Sequence, residues 1–426
     1  MNRQNKIIIQ NIKLLLFSIL VSLYLCEIFL LIYEKNFKSK IENKAYENRL
    51  SRKETAKNLG LIYDDRTPLQ FYLENKDVFP PMHPTQSIKY EKENSKIEIF
   101  PLSGFSNKKT FNCNETGRYN FFQSDKYGFN NNKDKYKKNI NSILVGDSFG
   151  FGDCVKYDEG IAYQLNKNGF ETLNLSYGGN GPLLQYSTLI EYGFELTPKH
   201  IIWLYFDNDL EDLSYELNSK HLSSYLNDGV FYDLKNREYE KNKFLQRRLN
   251  SIVLKNKVIA GHELNENSET ANNIKRGGIT NNTFIKTLLL QRLIYTLADR
   301  FIYLFKNNEG DYCQNKNISN CHLVFPTFKK ILFNTKNRIE KNSGKITFVF
   351  LPVYDRFFRF NKNQDRILYK GQVKKILKDL DINYIDIFDL IEKENDANNF
   401  FPMSLSGHYN AYGYKKIAIE LKNKLK

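Results

Sequence analysis

The run Ile201-Ile202-Trp203-Leu204-Tyr205-Phe206 constrains this chain more than any other stretch. Six consecutive apolar residues cannot alternate between a wet and a dry face, so as a strand the run is buried on both sides. A parallel sheet covered by helices provides that burial, and the flanking pattern provides the helices. Ile143-Leu144-Val145 ends in a glycine, residues 157–168 have helical spacing, residues 171–175 read as a short strand, and residues 182–193 carry Leu183, Tyr186, Leu189 and Ile190 on one helical face. Alternation resumes with a strand over 345–352, a helix over 372–380, a strand over 383–387 and a closing helix over 412–424. The expectation is an α/β chain with right-handed crossovers and its functional groups at the carboxyl ends of the strands. Trp203, the single tryptophan, belongs to the core in this reading.

The rest of the chain interrupts that pattern. Residues 212–341 are polar and irregular, with helical spacing at 244–254 and 284–305, and read as a mostly helical insertion forming a cap. Residues 36–60 are charged and helical in pattern, a stalk. Pro68, Pro80, Pro81, Pro84 and Pro101 then mark short strands and loops, and residues 124–131 lead as a turn into the opening strand. The expected divisions are therefore 1–36, a membrane anchor; 37–140, stalk and N-terminal extension; 141–211, the first part of the core; 212–341, the insertion; and 342–426, the second part of the core.

The anchor rests on Leu14 to Tyr33, about 20 residues interrupted only by Glu27, which as a helix would cross a hydrocarbon core of about 30 Å. A cleaved signal peptide is the lesser alternative, because no small-residue cleavage site follows. Arg3, Lys6 and Lys13 precede the span while Lys35, Lys38, Lys40 and Lys44 follow it, so positive charge does not orient it. Five cysteines occur, at 26, 113, 154, 313 and 321; a Cys313–Cys321 bridge in a polar loop would point to a catalytic domain outside the cytoplasm. The six histidines are dispersed and no CxxC spacing occurs, so neither a zinc site nor any other cofactor is expected. Lys and Arg exceed Asp and Glu by 63 to 48, but the lysines are scattered and no nucleic-acid reader motif accompanies them, so nucleic acid is not an expected partner.

Four segments fall at expected strand ends: Gly146-Asp147-Ser148, the glycine-rich stretch 174–181, Asp207-Asn208-Asp209, and Ser406-Gly407-His408. Together they hold what acyl transfer needs. Ser148 would attack a carbonyl and His408 would take its proton, while the Ser148 and Gly179 backbone N–H groups and the Asn208 amide would hold the oxyanion. Each alone is common: a glycine turn, a capping asparagine, a surface histidine.

In this order the segments resemble the four blocks of the SGNH hydrolases, also called the GDSL family of esterases and lipases. The Gly-Asp-Ser matches 146–148, the block glycine matches Gly179 with Gly178 as a competing alignment, the asparagine matches Asn208, and the histidine matches His408 ahead of Asn410 and Gly413. The resemblance covers residues 141–211 and about 342–424. It implies a flavodoxin-like three-layer α/β/α sandwich and hydrolysis or transfer of ester-linked acyl groups. The anchor and the leading Gly-Phe-Asn region also look like family members found beside bacterial envelope-polysaccharide genes, which implies an O-acyl, in particular O-acetyl, group of an envelope glycan as substrate.

One position departs from the family. An aspartate is expected two or three residues before the histidine, where Ser406 and Leu405 stand. Ser406, a backbone carbonyl, or Asp355, Asp386 or Asp389 from another strand end would have to orient the imidazole. Two further readings follow: an O-acetyltransferase on the same fold, and a non-catalytic glycan-binding or assembly protein with a degenerate site. Residues 146–150 also satisfy the G-x-S-x-G elbow of α/β-hydrolases, but no HGGG-type segment precedes them and Asn208 would have no role there.

Overall fold

Five parallel strands build the sheet that the apolar runs require: β1 (Ser142–Val145), β2 (Thr172–Asn174), β3 (His200–Phe206), β4 (Lys345–Leu351) and β5 (Asn383–Asp386). Their spatial order is β2-β1-β3-β4-β5. The register places Ile143 opposite Ile201 and Trp203 opposite Phe348. This is the flavodoxin-like order, with its topological switch point between β1 and β3. The coordinates are a computed structural model that describes residues 3–94, 97–131, 135–264, 290, 321–358, 364–394 and 396–425.

Strand alternation sends side chains to two dry faces. Leu144, Ile202, Leu204 and Val349 meet Ile161 and Leu165 of α3 (Ile161–Lys167) and Ile417 and Leu421 of α9 (Ala411–Leu425). Ile143, Val145, Trp203 and Phe348 face the opposite layer. That layer holds α4 (Pro182–Thr188), α7 (Cys321–Glu340) and α8 (Gln364–Asp379). The chain is therefore a three-layer α/β/α sandwich, with Trp203 fully buried in it. The expected helix over 182–193 changes to a π-helical turn at Leu189–Gly193. Within 212–341, α6 (Glu238–Leu264) and α7 are helical, and α7 sends Val324, Phe328, Ile331 and Leu332 into the sheet's core. It thus supplies the crossover helix from β3 to β4. The helix expected over 284–305 and Cys313 lie outside the described residues.

The N-terminal extension is built into the core. Its hairpin, Lys109–Phe111 with Phe121–Gln123, is followed by a turn in which Asp125 accepts the Tyr127 and Phe129 N–H groups at 2.9 and 3.0 Å. Asn131 then pairs with Asn174 through both halves of its amide, at 2.7 and 2.8 Å, and so occupies the outer edge of β2. Short helix α2 (Ser148–Phe151) follows β1 directly. Its trailing carbonyls receive the side-chain amides of Asn130 at Phe151, Asn112 at Gly152 and Val155, and Asn120 at Cys154. These asparagines satisfy carbonyls that a short helix cannot satisfy itself.

The chain divides into two compact units, residues 1–51 with 254–310 and residues 52–253 with 311–426. Helix α1 (Arg3–Asn58) begins in the first and ends in the second without a break at residue 36. Its stretch Asn11–Ile32, 22 residues, is long and apolar enough to cross a membrane, as an anchor or a signal sequence.

Candidate active site

Ser148 stands where β1 turns into α2. The turn is tight because a Cβ at Gly146 would lie 2.9 Å from Leu204 Cβ, and one at Gly150 would lie 2.3 Å from Ser176 Oγ. Asp147 caps α2 by accepting the Phe149 N–H at 3.0 Å. Burial raises the Asp147 carboxyl to about 6 against that bond. The serine is partly exposed at the sheet's carboxyl edge.

His408 comes from the loop before α9, and its Nε2 lies 2.8 Å from Ser148 Oγ. Its other nitrogen, Nδ1, is 3.2 Å from Glu115 Oε1, and Glu115 Oε2 accepts the His408 backbone N–H at 2.7 Å. A carboxylate only accepts, so in the neutral imidazole Nδ1 carries the hydrogen and the Nε2 lone pair faces the serine hydroxyl. Burial alone would raise the Glu115 carboxyl; the His408 charge, the bonds from His408 and the Arg52 charge overcome it and hold it down at about 2. Burial likewise opposes charging of His408, and the Glu115 carboxylate, helped by Asp153 and Asp147, outweighs it and pushes the imidazole up to about 9.

The residue orienting His408 is thus Glu115, which the sequence reading did not single out. Ser406 contributes a backbone carbonyl to Arg52, not its hydroxyl to the histidine. Asp386 is held by Lys370 at 2.6 Å and Lys374 at 3.3 Å, and neither it nor Asp355 nor Asp389 is bonded to His408. Arg52, from the last turns of α1, also donates to the Glu115 backbone carbonyl at 3.1 Å and lies 3.8 Å from its carboxylate. A disulfide joins Cys113, two residues before Glu115, to Cys154, six residues after Ser148. The Cys154 sulfur is 3.4 Å from His408 Nδ1. Cys113, Glu115, Cys154 and His408 crowd within 4.8 Å like a metal-ligand set, but both sulfurs are bonded to each other and neither is a thiolate. The signals available in the sequence were the missing acid near His408 and a cysteine ahead of Glu115 with no assigned partner.

The other expected groups lie around this array. Tyr177 donates its N–H to the Gly146 carbonyl at 3.3 Å, which extends β2 alongside β1 and carries Gly178 and Gly179 to the same edge as Ser148. Gly179 adopts φ +75°, a conformation glycine reaches without strain. Asn208 follows β3 at the start of α5 (Asp209–Glu216), and its Nδ2 donates to Asp212 Oδ2 at 2.7 Å. A primary amide has two N–H groups, so that bond uses one of them. Burial, then the Asp147 charge, raises Asp212 to about 8, and Asp209 is fully buried with its carboxyl raised well above the usual range. Asp207 is fixed on Arg356 through two bonds of 2.8 and 2.6 Å.

In its fold the chain is similar to solved lipolytic and acyl hydrolases. Among solved structures it is similar to a protein described as lipolytic and of the G-D-S-L family from Desulfitobacterium hafniense DCB-2, at 11% identity and a TM-score of 0.34, over 67% of this chain and 99% of that one. It is also similar to LAE5, an alpha/beta hydrolase enzyme from the metagenome of Lake Arreo, Spain, at 9% identity and a TM-score of 0.34, over 68% and 99%. A lipase/acylhydrolase from Enterococcus faecalis matches at 11% identity and a TM-score of 0.32, over 67% and 97%. No protein-family profile matches the sequence, and no curated protein matches it.

Proposed function

We propose that the chain is a membrane-tethered serine ester hydrolase that removes O-acyl, in particular O-acetyl, groups from an envelope glycan. Ser148 is the nucleophile, His408 the base and Glu115 the group that orients it. The observation that carries this reading is the unbroken relay from Ser148 Oγ through both His408 nitrogens to Glu115, at 2.8 and 3.2 Å. The hydroxyl gives its proton to Nε2 as Oγ bonds to the ester carbon, and the Ser148 and Gly179 N–H groups with the Asn208 amide hold the negative oxygen. Collapse expels the sugar alkoxide, which takes the proton from Nε2. Water then attacks the acyl-serine as its proton passes to Nε2, and collapse releases the acid while Ser148 Oγ takes that proton back from Nε2.

A non-catalytic role rested on an imidazole with no acid behind it, and Glu115 removes that ground. The Cys113–Cys154 bridge favours an oxidising compartment, so the domain works outside the cytoplasm in this proposal. A tethered enzyme there meets esters of the envelope, and the small acyl group on a sugar is the one proposed. The test is hydrolysis of p-nitrophenyl acetate, p-nitrophenyl octanoate and an O-acetylated glycan by the full chain and by Ser148→Ala. Loss of acetate release in the variant, with acetyl favoured over octanoyl, supports the proposal. Unchanged turnover in Ser148→Ala refutes it, and a preference for octanoyl replaces the glycan with a lipid ester.

A further inference from the structure

Tyr177 to Asn180 form a β-turn closed by the Asn180 N–H on the Tyr177 carbonyl at 3.1 Å. Gly179 has φ +75° while Gly178 lies outside the positive region, and among the principal turn types that combination is type II. Types I and II share their end residues and differ by rotation of the central peptide through about half a turn. Here that peptide joins two glycines, so no Cβ opposes either state. A trans peptide points its C=O and its following N–H to opposite sides. Whichever side the Gly178 oxygen takes, the Gly179 N–H takes the other.

His83 makes the choice. Its Nδ1 lies 2.6 Å from the Gly178 oxygen, and since a carbonyl only accepts, Nδ1 is the protonated nitrogen. The ring lies directly against this peptide: a Cβ on Gly178 would come within 2.6 Å of His83 Cε1 and 2.9 Å of Nδ1. Gly178 therefore makes room for the imidazole, and the imidazole holds the carbonyl. In the flipped turn the Gly178 oxygen would occupy the side now taken by the Gly179 N–H. A lone pair would then stand where the oxyanion needs a donor.

We infer that His83 is a positioning residue, which locks the Gly178–Gly179 peptide so that the Gly179 N–H serves the oxyanion. The inference rests on the proposed serine hydrolase reading. His83 does not touch the reacting atoms and acts through the turn alone.

The test combines kinetics on p-nitrophenyl acetate with crystal structures, using the full chain and its His83→Ala, His83→Phe, His83→Asn and Ser148→Ala variants. Loss of one oxyanion donor costs about 10²–10³ in kcat, so His83→Ala and the bulkier His83→Phe are expected to lose that much with KM within threefold. Asn keeps an N–H donor near the position of Nδ1, and His83→Asn is expected to recover to within tenfold of the parent. In the alanine variant the Gly178 carbonyl is expected to be rotated and the Gly179 φ negative. An unrotated peptide in that variant, or kcat within threefold of the parent, overturns the inference. Full turnover by Ser148→Ala would instead overturn the serine reading, and the peptide orientation in His83→Ala would still decide the lock.

Discussion

Replacing Glu115 with glutamine removes one charge and leaves the shape. In the parent protein Oε2 accepts the His408 backbone N–H at 2.7 Å and Oε1 faces Nδ1 at 3.2 Å. A glutamine has one acceptor oxygen, and the backbone N–H requires it, so its NH₂ group turns to Nδ1. That nitrogen must then accept, the hydrogen moves to Nε2, and Ser148 faces a donor where it needs a base. A wrong tautomer at such a position costs about 10⁴ in kcat, or about 5.5 kcal/mol of transition-state stabilisation. The pH dependence moves as well. Only neutral His408 is a base, and its pKa is pushed up to about 9, so parent activity rises with pH through an inflection near 9. Without the Glu115 carboxylate the main influence opposing burial is lost, only Asp153 and Asp147 still favour the charged imidazole, and the inflection falls below 9. Stability follows by linkage: the rise from 6.5 to about 9 is worth on the order of 3 kcal/mol, fully present below pH 6.5 and lost as pH rises through 9. The depressed Glu115 value describes the same pair from the acid side, present above pH 4.5 and lost as pH falls towards 2. Glu115→Gln should therefore be least stable relative to the parent between pH 4.5 and 6.5. Initial rates on p-nitrophenyl acetate from pH 6 to 10, with urea melts at pH 5.5 and 9.5, check both effects. A variant within tenfold of the parent at every pH would refute the orienting role of Glu115.

Three other outcomes follow from the same contacts. Arg52→Met leaves the Ser406 and Glu115 carbonyls without their donor at about 1–3 kcal/mol each, and it should lower kcat about tenfold while raising the Glu115 pKa, read by NMR titration of the Glu115 carboxyl. Gly150→Ala forces a Cβ to within 2.3 Å of Ser176 Oγ and 2.8 Å of Ser176 Cβ and should cost about 1–3 kcal/mol in a denaturant melt. Replacing both Cys113 and Cys154 with serine opens a loop spanning a separation of 41 residues, worth about 4 kcal/mol in the chain-entropy account, and should lower kcat as well, because Glu115 sits two residues from the bridge.

The strands announced themselves because a parallel sheet buries both faces, and Ile201 to Phe206 had no other way to be satisfied. Ser148, Gly179, Asn208 and His408 were visible as turn and polar residues at the ends of those strands. Glu115 was not. It lies 293 residues from His408 in a polar stretch whose local pattern signals only turns, and nothing short of the folded extension brings it to the imidazole. The pairing of Cys113 with Cys154 was equally silent, since four cysteines beyond the anchor allow three connectivities. Asn112, Asn120, Asn130 and Asn131 carried no signal in the sequence, yet their amides bind the chain around α2 and β2. Helix α7 was hidden by Pro326 and by the polar residues around its apolar face.

The central claim is that His408, held by Glu115, activates Ser148. Labelling of the full chain with a fluorophosphonate, followed by peptide mapping, tests it most directly, because the probe bonds stably only to an activated serine. A single adduct on Ser148 is expected, forming faster as pH rises towards 9 and lost in His408→Ala. An unlabelled parent protein, or a His408→Ala variant labelled at the parent rate, would contradict it.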